Sequence, residues 1–149
     1  MRKFTMPALL VLSAILLAIG STKPRAVAEP ASPKEKRLQA VVHVNFPAPE
    51  RQGMGLKNID NILKAVDGLA TIEVVCHGPG IVLAVKDQSK HAEQIAALQK
   101  RGVRFVACEN TLREKKIPKE SLLPGIETVP SGAVEVIRKQ QDGFGYFRP

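Results

Sequence analysis

Apolar residues fall into two kinds of run along this chain, and the order of those runs predicts its architecture. "LQAVVHVNF", residues 38–46, carries a nearly continuous apolar core at Ala40, Val41, Val42 and Val44. Strict alternation would mark a strand with one wet face, whereas this run predicts a strand covered on both faces, as in a parallel sheet. Leu56, Ile59, Leu63 and Val66 then recur at helical spacing, and Gly68 ends that helix. "ATIEVVC", Ala70 to Cys76, predicts a second strand that runs into the turn signal His77-Gly78-Pro79-Gly80. "IVLAV", residues 81–85, reads equally as a short strand or as a buried connection. Ser89 is placed to cap a helix with Ala92, Ile95, Ala96 and Gln99 near one face and Gly102 beyond its end. "VRFVAC" then predicts a third buried strand, ending in Cys108.

A charged helix up to about Lys116 follows, and then a loop shaped by Pro118, Pro124, Gly125 and Pro130. Glu127 is expected in that loop as a solvated carboxylate. Ser131 opens a final helix predicted to turn Ala133, Val134 and Ile137 inward, with Gly143 at its end. The closing "FGYFRP" reads as a last strand or as a segment packed on a neighbouring subunit. Strands alternating with helices predict a three-layer α/β/α domain around a mostly parallel sheet of about five strands. In such sheets the working groups stand at the carboxyl ends of the strands. Cys76 and Cys108 are both expected there.

The N-terminus changes the reading of charge. Met1-Arg2-Lys3, an apolar stretch from Met6 to Gly20 and the small-x-small site Ala26-Val27-Ala28 have the order of a secretory signal peptide. The apolar stretch is shorter than the roughly 20 residues of a membrane span, so no stable span is expected after cleavage. Ala18-Ile19-Gly20 offers a second cut, and retention of the segment stays open as well. With residues 1–28 as the signal segment, 29–37 ("EPASPKEKR") read as a flexible leader and 38–149 as one α/β domain. Residues 1–28 carry four basic and no acidic side chains, so their removal lowers the formal net charge from +8 to +4. That mild excess, with no tryptophan for base stacking, argues against nucleic acid as a partner. The expected location is the periplasm or another exported compartment.

Two cysteines are too few for a disulfide scaffold and call for a local reading. Cys108 precedes Glu109-Asn110-Thr111, where the unpaired N–H groups of a helix start would favour a thiolate. Arg113, Lys115 and Lys116 would add to that effect, and Glu109 would oppose it. Spacing alone favours the plainer reading, that Cys108 is a small buried hydrophobe as most free cysteines are. Cys76 and His77 are adjacent, but successive residues on an extended strand point to opposite faces, which argues against their direct pairing. A Cys76–Cys108 disulfide depends on strand neighbourhood and is left open. His43, Cys76, His77 and Cys108 lack the spacing of a metal site, and no metal is expected. Gly53-x-Gly55, expected just before a helix, has Asn58 where a dinucleotide fingerprint needs its third glycine, so no cofactor is expected.

"IEVVCHGPGIVLAV", "GVRFVACENTLREKKI", "LLPGIETVPSGAVEVIRKQQDGFGYFRP" and the opening "AVVHVNF" with "LKNIDNILKAVDG" resemble, in this succession, the DsrE/DsrF-like family. His77-Gly78-Pro79-Gly80 and Cys108-x-Asn110-Thr111 are the most specific parts of the resemblance. It implies a flavodoxin-like α/β/α domain that forms homo-oligomers, commonly trimers or hexamers. In sulfur-relay members a cysteine at a strand end and helix start carries sulfur as a persulfide between donor and acceptor proteins. Cys108 matches that cysteine; Asn110, Thr111, Cys76 and His77 are the candidate supporting residues. Cys76 inherits no role, since related chains often have an apolar or small residue there. The alternatives are a non-catalytic oligomeric binding or scaffold protein of the same fold, and a Cys76/Cys108 thiol redox protein.

Overall fold

In the computed structural model, which describes residues 37–149, five parallel strands form one sheet. The strands are β1 (Leu38–Val44), β2 (Ala70–Cys76), β3 (Arg104–Cys108), β4 (Glu127–Val129) and β5 (Gly145–Phe147), in the order β4-β3-β2-β1-β5. The helices are α1 (Pro49–Ala65), α2 (Ala92–Lys100), α3 (Glu109–Glu114) and α4 (Gly132–Gln141). The expected signal segment, residues 1–28, and all but the last residue of the leader lie outside the described residues. No helix among the described residues is long and apolar enough to cross a membrane.

The chain steps from β1 to β4 in one direction and then returns to place β5 beside β1. Right-handed crossovers running in opposite directions put their helices on opposite faces of a sheet. Accordingly Leu56, Ile59, Leu63, Ile95, Leu98 and Leu112 of α1, α2 and α3 join Val42, Val74, Cys76 and Phe105 in the larger core. On the other face Val136 of α4 meets Val41, Val75, Val106 and Val129. A switch in strand order therefore falls between β1 and β5, and in such sheets the crevice for ligands opens there, at the carboxyl ends.

The connection after β2 settles the ambiguity of residues 81–85. Gly78–Ala84 is a 3₁₀ segment, and Val85 makes only an isolated bridge to Leu122. Gly80 lies so close to the end of β1 that a Cβ there would collide with the Val44 carbonyl.

Several expectations are corrected. α1 begins at Pro49, so Gly53 and Gly55 lie inside the helix, where proline at the first turn is tolerated. Ser89 does not cap α2; its Oγ accepts from the His91 N–H (3.3 Å), and the helix starts at Ala92. Its inward residues are Ile95 and Leu98, while Ala92 and Ala96 are exposed. Glu127 lies on β4, not in a loop, and pairs with Arg104 (2.8 Å).

The largest correction concerns α4. Ser131 does cap it, accepting from the Val134 N–H (3.5 Å), but Ala133, Val134 and Ile137 face outward; Val134 is 42 % exposed and Ile137 55 %. The buried face carries Gly132 and Val136 with Glu135 and Lys139 beside them. The reason lies in the sheet below: Glu73, 2 % exposed, pairs with Arg104 (2.5 Å) and with Lys139 (3.1 Å). A buried carboxylate requires compensation, and that requirement selects the charged face of α4 over its more apolar one.

Candidate functional site: a thiol cradle beside a histidine chain

Cys108 ends β3 and is the residue from which α3 begins. Its side chain points to the α4 face, because it alternates with Phe105 and Ala107 of the larger core. The backbone N–H groups of Asn110, Thr111 and Gly132 and the Thr111 hydroxyl gather around its Sγ and favour the thiolate, although no capping hydrogen bond from the start of α3 closes on the sulfur. The first turn of α3 and the first residue of α4 thus converge on one sulfur. Burial pushes the thiol up, but these donors outweigh it and hold Cys108 below the ordinary thiol value. The cysteine is 4 % exposed.

The supporting residues divide by how they act. Thr111 is buried, and its Oγ1 accepts from the Gly78 N–H (2.9 Å), which leaves its own proton to point at Cys108. Asn110 serves through its backbone, because its side-chain oxygen accepts from Arg113 instead. Arg113 is thereby turned to Asn110, and Glu109 is held by Lys119 (2.6 Å) and the Thr128 hydroxyl (2.7 Å).

His77 follows β2 directly, and its Cβ lies 2.8 Å from the point where a Cβ on Gly132 would stand; the Cys108 Cβ lies 3.2 Å from the same point. Glycine is therefore what allows α4 to start between them. Cys76, one residue earlier, points the other way. It is fully buried in the larger core, paired in register with Ala107, and its thiol is pushed up to about 12 by burial. Both cysteines are free. β2 and β3 are neighbours, yet the two thiols lie on opposite faces of the sheet, which gives a disulfide no route without moving backbone.

Two further residues join the site. His43 of β1 approaches His77 with its Nε2 2.5 Å from the His77 Nε2, and its Nδ1 lies 2.7 Å from the Tyr146 hydroxyl of β5. The two imidazole planes differ by 6°, with centroids 4.7 Å apart. The centroids are farther apart than the nitrogens by about two ring radii, so the rings lie edge to edge in a shared plane and not face to face. That is the arrangement of an in-plane N–H···N hydrogen bond. Burial, then the neighbouring His77 and Arg148 charges, lowers His43 to about 4, and burial lowers His77 as well. Arg148 is itself held by two hydrogen bonds to the Asn45 side chain (3.0 and 2.9 Å).

In the sequence His43 reads only as a candidate metal ligand, and Tyr146 carries no signal of a site residue. The available signal was the phase of β1: His43 alternates with Val42 and Val44, so it had to face the layer opposite the larger core. Among the described residues no group of three or more His, Cys, Asp and Glu side chains is gathered as a metal would need. A groove of about 460 Å³ between α1 and α2 lies on the other face of the sheet from Cys108.

Fold and site define a flavodoxin-like α/β/α protein with a donor-lined thiol at a strand-to-helix junction. The profile of the DsrE/DsrF-like family matches residues 39–149, and the chain belongs to that family. Its fold is similar to that of a protein of unknown function, MTH1491, from Methanobacterium thermoautotrophicum. The two share 31 % identity and a TM-score of 0.71 over 75 % of this chain and 99 % of that one. The ychN protein from E. coli shares the fold at 14 % identity and a TM-score of 0.63, over 75 % of this chain and all of that one. No curated protein matches the chain.

Proposed function

We propose that this protein is an exported sulfur-relay protein that holds sulfane sulfur as a persulfide on Cys108. Membership in the DsrE/DsrF-like family suggests a sulfur-relay-type role at the level of the family. The observation that carries the finer reading is the junction itself: Cys108 ends β3 and starts α3, with the Thr111 hydroxyl and the Asn110, Thr111 and Gly132 N–H groups gathered around its sulfur. A thiolate is the nucleophile that attacks a sulfane sulfur, and a persulfide is an anion of the same kind one atom longer. The chemistry needs no metal or organic cofactor. With Cys108 only 4 % exposed, the donor that fits this reading is a small persulfide or polysulfide. Val134 and Ile137, exposed on α4, supply apolar surface for contact with a second copy, the homo-oligomer the family resemblance implies.

Intact-mass analysis before and after incubation with a polysulfide tests this reading, with Cys108→Ser and Cys76→Ser beside the wild type. The expected result is a reducible gain of one sulfur that needs Cys108 and not Cys76. A gain that survives Cys108→Ser overturns the reading. A second reading, a non-catalytic oligomeric scaffold, draws on the same low exposure of Cys108. It requires that the reduced, folded protein neither gain sulfur nor react with thiol reagents.

A further inference from the structure

We propose that Tyr146, His43 and His77 form a proton relay that links solvent to the reacting thiol of Cys108. The inference rests on the persulfide reading for its purpose, but its geometry stands independently. Three side chains from β5, β1 and the end of β2 make a continuous chain of contacts, 2.7 Å from the Tyr146 hydroxyl to His43 and 2.5 Å from His43 to His77. Its outer end, Tyr146, is 47 % exposed, and at its inner end His77 and Cys108 flank Gly132, their Cβ atoms 2.8 and 3.2 Å from the point where a Cβ on that glycine would stand. The chain also crosses from β5 to β1, the place where the strand order switches.

The two rings can relay a proton because they are neutral. Burial holds both imidazoles below their ordinary values, so each has one N–H and one bare nitrogen near neutral pH. Two Nε2 atoms facing each other can share only one proton. If His43 carries it, its Nδ1 accepts from the Tyr146 hydroxyl, the His77 Nε2 accepts, and the His77 Nδ1 is protonated. If His77 carries it, the His43 Nδ1 is protonated and donates to the Tyr146 oxygen, and the His77 Nδ1 is bare. Passing between these two states moves one proton along the whole chain without any side chain changing place.

Sulfur transfer needs such a movement twice. The Cys108 thiol first gives its proton to His77, and the thiolate remains among its four donors. It then attacks the outer sulfur of a donor persulfide R–S–SH: the Sγ–S bond forms, the donor S–S bond breaks, and R–S⁻ departs with the bonding electron pair. The relay returns one proton to R–S⁻. The balance is Cys108–SH plus R–S–SH giving Cys108–S–SH plus R–SH, in which the cysteine sulfur is oxidised and the donor reduced, with no outside oxidant. His43 and Tyr146 are positioning residues that act through His77.

The test uses Tyr146→Phe, which keeps the ring contact with His43 and removes only the hydroxyl, and His43→Gln. Ring-nitrogen NMR of His77 is recorded with single-turnover loading from glutathione persulfide. We expect Tyr146→Phe to shift the His77 ring-nitrogen resonances and to slow loading about 10-fold, and His43→Gln to slow it about 100-fold, the lower end of general acid–base contributions. The final gain of one sulfur per Cys108 is expected to stay. Unchanged His77 resonances in Tyr146→Phe, with wild-type loading rates in both variants, overturn the relay. If the wild type takes up no sulfur, the persulfide reading falls instead, and the His77 resonances alone then decide for or against the relay.

Discussion

Thr111→Val isolates one donor in the cradle around Cys108. Valine keeps the β-branched shape of a residue that is 5 % exposed, and it removes only the hydroxyl that accepts from the Gly78 N–H (2.9 Å) and helps to hold the Cys108 thiol below its ordinary value. A hydrogen bond to a charged group contributes about 1.5–3 kcal/mol. At about 1.4 kcal/mol per pKa unit, its loss raises the Cys108 ionisation by about 1–2 units. The same change orphans the Gly78 N–H, at a cost of about 1–3 kcal/mol in stability. The assay is the rate of iodoacetamide alkylation against pH, with urea denaturation run in parallel and Thr111→Ser as the control that keeps the hydroxyl. An unchanged ionisation midpoint in Thr111→Val would refute the cradle. A rise of equal size in Thr111→Ser would trace the effect to packing and not to the hydroxyl.

Three other outcomes follow from the same geometry. Gly132→Ala should lower stability by about 1–3 kcal/mol through overpacking, because its Cβ would stand 2.8 Å from the His77 Cβ and 3.2 Å from the Cys108 Cβ. Alanine's better helix propensity recovers at most about 1 kcal/mol, so a stabilised variant in urea would contradict the close approach. In the folded protein at neutral pH, iodoacetamide should add once, at Cys108, since burial holds the Cys76 thiol at about 12; peptide mapping that finds Cys76 modified first would reverse the assignment. His43 is depressed to about 4 in the fold, so the unfolded chain binds more protons between that value and the ordinary histidine value of about 6.5. Stability should therefore fall as pH drops through that window, and His43→Gln should flatten the dependence; equal slopes in both proteins would show that His43 does not contribute.

Much of the fold was legible because strand and helix signals are local. Ala70 to Cys76 is the second strand to the residue, Cys108 ends the third, and the near-continuous apolar runs correctly foretold strands covered on both faces. β4 was missed because three residues between prolines and glycines carry no periodicity; it exists through pairing with β3, from Val106–Glu127 to Cys108–Val129. α4 was turned the wrong way because apolar count alone favoured Val134 and Ile137, and nothing nearby in the chain announces the buried Glu73 that draws Lys139 inward.

The chain by itself determined the α/β class, the strand-to-helix junction at Cys108 and the family, since each is written in residues a few positions apart. Only the tertiary structure decided what surrounds the thiol. The Gly132 N–H arrives from a helix that crosses the sheet, His77 from the neighbouring strand, and His43 and Tyr146 stand 103 residues apart in sequence. Strand order and the alternation of side chains across the sheet set those meetings. The same alternation sends Cys76 to the opposite face, although it too ends a strand. Local pattern specifies an element and its phase; which phases share a face is settled only when the elements pack.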